Sequence, residues 1–262
     1  MPVYRTYTQL AAKLHLPGRE RRREKLFKHA LRPSDVFLVG HPKSGNTWLA
    51  FALTLIAHPE AHIRDLRTYI PTIHGADERI AYYEHLLEPR VFRNEWPVFP
   101  NLYPKTIYLV RDPRAALLSY YHHYTVLFGG ERETADSFVA RYVKNKKIEE
   151  FEPDLPAWDT HVAEWLKRKE TQPVLFVKYE DMKRDFQKVF ETVTAFIGLR
   201  VPPEIVARIA NATTFSAMRK NEESYGAESY PQKKGEEKRF MRKGDIDSWK
   251  QELSYASVAL KD

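Results

Sequence analysis

The chain contains no cysteine, no long apolar run, and no segment rich in proline and glycine that would separate two domains. The absence of cysteine excludes disulfide frameworks, thiolate nucleophiles and cysteine-based zinc sites. No stretch approaches the roughly 18 uncharged apolar residues that a membrane span needs, and the N-terminal segment lacks the apolar core of a secretory signal. We therefore expect a cytoplasmic protein without a transmembrane segment.

The composition is typical of one folded globular domain. Of the 262 residues, 43% are apolar and 29% are charged, which argues against disordered and collagen-like classes. We expect a single domain over residues 1–262, with a basic leader at 1–34 and a charged lid or nucleotide-binding loop at 219–247. Much of the net charge of +7 falls in the leader, where a solvated helix face is a better explanation than nucleic-acid binding.

Three short apolar segments, each followed by a helical pattern, indicate the fold. They are residues 35–40, 106–110 and 173–178. Buried strands that alternate with helices specify a parallel sheet covered on both faces, with ligands bound beyond the carboxyl ends of the strands. The sequence therefore predicts an α/β fold with a central, mostly parallel β-sheet flanked by helices.

A glycine-containing loop follows the first predicted strand. In the segment from Gly40 to Thr47, the two glycines have the spacing of the phosphate loop G-x-x-x-x-G-K-[ST]. Asn46 occupies the position of the loop's lysine, and Lys43 lies three residues earlier, so the loop is a poor match to one that binds a γ-phosphate. Backbone amides at the start of the following helix still suit an anion.

The phosphate loop and four later segments resemble the motifs of sulfotransferases that use 3′-phosphoadenosine 5′-phosphosulfate (PAPS). HPKSGNTW is similar to the family's PKSGTTW loop for the 5′-phosphosulfate, and YLVRDPRAALLSYYHHY is similar to its 3′-phosphate segment. VKYEDMKRDF, Thr213-Thr214-Phe215 and RKGDIDSWK are similar to its YEDMK, T-S-F and RKGxxGDWK motifs. The resemblance covers about residues 36–250. It implies the phosphate-loop sulfotransferase fold, in a short, bacterial-like form of the cytosolic-type domain.

The resemblance also implies an activity and a set of site residues. The enzyme would transfer a sulfuryl group in line from PAPS to a hydroxyl or amine of a small-molecule or carbohydrate acceptor, without a metal. Lys43 would donate to the leaving oxygen, Arg111 and Ser119 would hold the 3′-phosphate, and we expect Lys43 and Ser119 to act in catalysis. The nucleotide-binding residues carried over are Lys43, Ser44, Gly45, Asn46, Thr47, Trp48, Arg111, Ser119, Tyr179, Thr213, Phe215, Arg242, Lys243 and Gly244.

The residue at the position of the family's catalytic base differs in this chain. The family commonly has K-[TS]-H-x-P, whereas this chain has Arg93 at the lysine position and Glu95 at the histidine position. We expect Glu95 to be the catalytic base, followed in preference by His74 or His41, and Arg93, His74 and His41 to contact the acceptor. The adjacent His122 and His123 suit a helix core better than a metal site, since no further spaced ligands accompany them.

Two other functions stay open at this point. A phosphate-loop nucleotide or small-molecule kinase is disfavoured by Asn46. A non-catalytic nucleotide-binding homologue draws support from the missing histidine. The sequence identifies neither the acceptor nor the oligomeric state.

Overall fold

The computed structural model describes residues 19–73, 83–95, 97–128, 133–146, 155–226 and 241–254. Four strands and eleven α-helices are assigned within these ranges, together with short 3₁₀ turns at Ile63–Asp65 and Pro100–Leu102. In chain order the elements are α1 (Arg19–Ala30), β1 (Val36–Gly40), α2 (Asn46–Ala57), α3 (Leu66–Tyr69), β2 (Val91–Asn94), β3 (Lys105–Val110), α4 (Pro113–Phe128), α5 (Ala135–Asn145), α6 (Trp158–Arg168), β4 (Val174–Lys178), α7 (Tyr179–Arg184), α8 (Phe186–Ile197), α9 (Pro203–Ala212), α10 (Phe215–Tyr225) and α11 (Trp249–Glu252).

The four described strands form one parallel sheet in the order β2-β1-β3-β4. All five residues of β1 are buried, because helices cover both faces of the sheet. The predicted α/β class and its three strands are confirmed, and β2 is a strand that the sequence patterns did not indicate. Parallel strands place their carboxyl ends at one edge, so the loops after all four strands meet there.

A buried ion pair fixes the start of β2 beside the start of β1. The Arg90 guanidinium donates to both carboxylate oxygens of Asp35, at 2.8 and 2.6 Å, and both side chains are almost fully inaccessible to solvent. The Val36 amide also donates to the Arg90 carbonyl at 2.9 Å. This arrangement holds the residues at the far end of β2 in a defined register against the loop after β1.

Two segments that we expected at the surface are partly packed. In the leader, α1 buries Phe27, whose ring lies 6.2 Å from the rings of Phe37 and Tyr103. In the 219–247 segment, residues 219–225 continue α10, where buried Glu222 accepts a hydrogen bond of 2.9 Å from the Met241 amide. The first part of the 219–247 segment is therefore helical and carries a buried carboxylate, which its charged composition did not indicate.

Candidate active site

A cavity of about 350 Å³ lies at the carboxyl edge of the sheet. It brings together residues from Pro42 to Ser248. The predicted site residues that line it are Lys43, Gly45, Asn46, Thr47, Trp48, Arg93, Glu95, Arg111, Ser119, Tyr179, Thr213, Phe215, Arg242, Lys243 and Gly244. Ser44 is fully buried in the loop that forms the cavity wall, and His74 lies outside the described residues.

The loop between β1 and α2 has a backbone shape suited to an anion. Lys43 and Gly45 both adopt positive φ, 69° and 104°, and Gly45 is the N-cap of α2 without a side-chain cap. A Cβ on Gly45 would lie 2.8 Å from Cδ2 of Tyr179, so only glycine lets the two come this close. The uncapped helix start leaves backbone N–H groups available to a negatively charged ligand.

Arg111 connects this loop to the ends of β3 and β4. Its Nη1 donates to the Lys43 carbonyl at 3.0 Å, and its guanidinium carbon lies 4.2 Å from the centre of the Tyr179 ring. The Asp112 carboxylate forms its ion pair with Arg114, at 2.6 Å, and not with Arg111. Burial lowers the pKa of Arg111, which is 8% exposed.

Buried polar atoms around the loop lack partners within the described part of the chain. They are His41 Nε2, Ser44 Oγ, Asn46 Oδ1, Trp48 Nε1 and Arg111 Nε. Leaving a buried polar atom unsatisfied costs about 1–3 kcal/mol, so such atoms at a cavity wall indicate a polar ligand. Trp48 Nε1 and Arg111 Nε are N–H donors and Ser44 Oγ is a hydroxyl, so these three atoms suit an acceptor-rich group such as a phosphate, whereas Asn46 Oδ1 can only accept a hydrogen bond.

The aromatic residues predicted to contact adenine lie on the same cavity. Trp48 stacks on Phe186, with ring centres 5.2 Å apart and planes 15° apart, and meets Tyr179 edge to face at 5.7 Å. Phe215 packs against Gly244, which has φ 65° and leaves no room for a Cβ. The position of the Trp48 ring is therefore fixed by Phe186 and Tyr179, and the Phe215 ring packs directly on Gly244 of the late motif.

The two basic residues of the late motif share one carboxylate. Glu252 accepts from Arg242 at 2.7 and 3.0 Å and from Lys243 at 2.7 Å, and His122 Nε2 lies 2.9 Å from it. Burial alone would raise the pKa of Glu252, but the hydrogen bonds from Lys243, Arg242 and His122 outweigh burial and lower it to about 2. Glu252 thus anchors the late motif to α11 and α4.

This carboxylate makes the stability of the protein depend on pH. Since its folded pKa is near 2 and its reference value is 4.5, its stabilisation is complete above pH 4.5 and is lost as the pH falls toward 2. We expect Glu252→Gln to lower the melting temperature at pH 7 by about 2–4 °C, with a gap to the wild type that narrows between pH 4.5 and 3. Scanning fluorimetry at pH 7, 4 and 3 measures this gap. Glu223→Gln, at an exposed position that pairs with Arg219, is the control, and a gap that stays constant with pH would refute the assignment.

Glu95 lies directly after β2 and is held by Asn46. Asn46 Nδ2 donates to Glu95 Oε1 at 3.0 Å and lies 3.4 Å from the Gly40 carbonyl. Arg90 is paired with Asp35, and Arg93 Nε donates to the Ile70 carbonyl at 3.4 Å. The residue that replaces the lysine of nucleoside triphosphate loops is therefore engaged with the candidate base.

Of the histidines considered in the sequence, His123 lines the cavity and His41 does not. His41 is 2% exposed and its ring lies 5.9 Å from His161, so it is absent from the described cavity lining, and burial lowers its pKa to about 3. His123, which we expected in a helix core, lines the cavity. Burial and then the charge of Lys43 lower its pKa to about 3, so its imidazole is neutral near pH 7. Its spacing of four from Ser119 places the two on one helix face, a signal that was present in the sequence.

Two further lining residues, Arg67 and Thr72, lie outside every motif noted in the sequence. Arg67 and Thr72 precede β2, and Thr72 is bridged to Arg93 beside that strand. Lys183, the last residue of the YEDMK motif, also lines the cavity, and its Nζ lies 5.9 Å from the centre of the Trp48 ring. Within the described ranges, no helix is long and apolar enough to cross a membrane, and no group of three or more histidine, aspartate or glutamate residues has the geometry to hold a metal.

Sequence comparison identifies the family. The sulfotransferase domain family matches residues 33–260 of this chain. Sulfotransferase 1A1 of Bos taurus is 29% identical over 247 residues, which cover 87% of this chain and 81% of that protein. The 3-beta-hydroxysteroid sulfotransferase of Cavia porcellus is 27% identical over 250 residues, with 90% and 84% covered.

Solved structures agree with the sequence match. Mouse sulfotransferase SULT7A1 complexed with PAP aligns with a TM-score of 0.65 and 27% identity, over 87% of this chain and 81% of that one. Retinol dehydratase, in complex with androsterone and inactive cofactor PAP, aligns with a TM-score of 0.69 over 89% and 82% of the chains; at 19% identity it shows a likeness of fold alone. The chain therefore belongs to the sulfotransferase family that its motifs resemble.

Proposed function

We propose that this enzyme transfers the sulfuryl group of PAPS, in line and without a metal, to a hydroxyl or amine of a small-molecule or carbohydrate acceptor. The observation that carries the proposal is the placement of Lys43, Glu95 and Arg111 around one cavity. The relatives named as sulfotransferases and the mouse structure complexed with PAP support the reaction class and the nucleotide.

The residues present suit PAPS. Arg111, with an unpartnered Nε, and Ser119 would bind the 3′-phosphate together with Arg242 and Lys243. Buried Ser44 and the backbone amides at Gly45, Asn46 and Thr47 would bind the 5′-phosphosulfate. Trp48, Tyr179, Thr213 and Phe215 would enclose the adenine, since base stacking on aromatic rings contributes about 1–3 kcal/mol.

The chemistry assigns one role to each charged group beside the reaction centre. PAPS supplies a sulfur whose bond to the phosphate oxygen breaks as a new bond to the acceptor oxygen or nitrogen forms. Lys43 donates to the leaving phosphate oxygen, where negative charge develops. Glu95 accepts the acceptor's proton, and Asn46 holds the Glu95 carboxylate in place. Arg93 and neutral His123 line the same cavity and would contact the acceptor.

The proposal is tested first by nucleotide binding and turnover. Calorimetry should show tighter binding of 3′,5′-adenosine bisphosphate (PAP) than of ATP, and PAPS with phenolic and sugar acceptors should yield PAP and sulfated product in equal amounts. EDTA should leave the rate unchanged, and a sulfuryl group made chiral with oxygen isotopes should be transferred with inversion. An ATP preference with ATP turnover would instead support the kinase. PAP binding without product across the acceptors would support the non-catalytic homologue.

Replacing the proposed base separates catalysis from binding. We expect Glu95→Gln to lower kcat about 10²-fold, at the lower end of the range for general bases, because a phenolic acceptor needs modest help to lose its proton. The Kd of PAP, measured by calorimetry, should change less than about twofold, since glutamine preserves size and an oxygen for Asn46. Glu164→Gln, on the exposed side of α6, is the matched control. A Glu95→Gln enzyme with wild-type kcat would exclude Glu95 as the base.

A further inference from the structure

The sheet order divides the cavity into two halves. The residues proposed to bind the nucleotide follow β1, β3 and β4, whereas Arg93 and Glu95 lie at the end of β2, on the opposite side of β1. Thr72 is bridged to Arg93 beside β2. If PAPS extends from the β1 loop toward β3 and β4, the acceptor enters from the β2 side.

The β2 side of the cavity is polar and basic. Every described residue between α2 and β3 that lines the cavity has a polar side chain: Arg67, Thr72, Arg93 and Glu95. Arg93 is 7% exposed and lies deep, while Arg67 is exposed and lies toward solvent. The carboxylate of this group, Glu95, accepts a hydrogen bond from Asn46. Two arginine side chains thus line the β2 side of the cavity, one deep and one toward solvent.

We infer that the acceptor is a hydroxyl compound that carries an anionic group, such as a carboxylate or phosphate, and that Arg67 and Arg93 bind this group. The inference rests on the proposed function and names the substrate class of the same site. A planar guanidinium donates parallel hydrogen bonds to a carboxylate or phosphate, and the two arginines counter the negative charge that Glu95 and the acceptor bring together.

Matched acceptor pairs test this inference. The probes are 4-hydroxybenzoate against 4-hydroxybenzamide, 3-hydroxybenzoate against 3-hydroxybenzamide, and glucuronate against glucuronamide, which differ in charge at nearly constant shape. Calorimetry with the enzyme–PAP complex measures their binding, and the PAPS reaction measures kcat/KM. We expect the carboxylate of at least one pair to be favoured about tenfold, with a preference that decreases as salt is added.

Variants locate the origin of the preference. Arg67→Gln should bring the carboxylate-to-amide ratio close to one, with PAP affinity unchanged. Arg64→Gln, which removes a neighbouring exposed arginine that pairs with Asp65 outside the cavity, should keep the ratio. No carboxylate advantage in any wild-type pair, or an advantage that survives Arg67→Gln, would overturn the inference. Failure of the proposed function would be recognised separately, by the absence of PAP binding or of PAPS turnover with every acceptor.

Discussion

Replacing Lys43 with methionine is expected to lower kcat about 10³-fold, because a preorganised donor to a developing oxyanion is worth that much in enzymes. Methionine retains the length of the side chain and removes the ammonium group of this cavity-lining residue. The charge on the leaving phosphate oxygen grows only as the sulfur bond breaks. The loss should therefore fall on kcat, with the KM for PAPS changed much less.

Steady-state kinetics and calorimetry together test the role of Lys43. The Kd of PAP should rise by less than about tenfold, since the loop amides, Ser119 and Arg111 are retained. Lys178→Met, at the exposed end of β4 and outside the described cavity lining, should behave as the wild type. A Lys43→Met enzyme whose loss appears in KM alone would show that Lys43 binds the nucleotide and does not assist the transfer.

Replacing Arg111 with lysine is expected to weaken PAP binding about 10³-fold. The substitution keeps a positive charge but removes the planar fork, and charged hydrogen bonds are worth about 1.5–3 kcal/mol each. Arg111 also donates to the Lys43 carbonyl, so its replacement can disturb the loop as well as the phosphate contact. A ligand without the 3′-phosphate distinguishes these effects.

Adenosine 5′-monophosphate is that ligand. The wild type should bind PAP far more tightly than the monophosphate, and Arg111→Lys should remove most of this difference while changing the affinity for the monophosphate little. Arg114→Lys, three residues away in the first turn of α4, is the control, because Arg114 pairs with Asp112 and stacks on Trp249 outside the described cavity lining. Equal losses for both nucleotides in Arg111→Lys would mean that Arg111 supports the loop and does not bind the 3′-phosphate.

The nucleotide half of the site was predictable because its residues follow strong local signals. β1, β3 and β4 are short apolar runs, and each ends in a motif whose position fixes the side chains at one edge of the sheet. Gly45 and Gly244 have positive φ and lie in close contact with Tyr179 and Phe215, respectively. Each of these two glycines therefore packs against an aromatic residue of another motif.

The acceptor half was less predictable because long-range contacts create it. β2 has four residues, VFRN, two of them polar, so its hydrophobic pattern is too short to distinguish a strand from a loop. Its position depends on the Asp35–Arg90 pair, which joins residues 55 positions apart. Thr72 lines the cavity where it is bridged to Arg93, and Arg67 lines it from α3, and nothing in their local sequence indicates these positions.

His123 shows how a correct pattern can be read in two ways. A histidine in an aromatic helix usually fills a core, and burial indeed keeps this one neutral. The same helix face carries Ser119, however, and both line the cavity. Choosing between the two interpretations requires the position of α4 relative to the sheet, which no local pattern supplies.

The place of β2 in the sheet has a consequence for the order in which products leave. Among the described strands, β1 and β3 each lie between two neighbours, whereas β2 is paired along its length with β1 and only bridged to Thr72 on its other side. Outer ladders open at a lower free-energy cost than inner ones, so amides of β2 should exchange with deuterium faster than those of β1 and β3. The wall around the acceptor beside β2 can then open while β1 and β3, whose following loops contribute Lys43 and Arg111, stay closed, which would let a sulfated product dissociate before PAP.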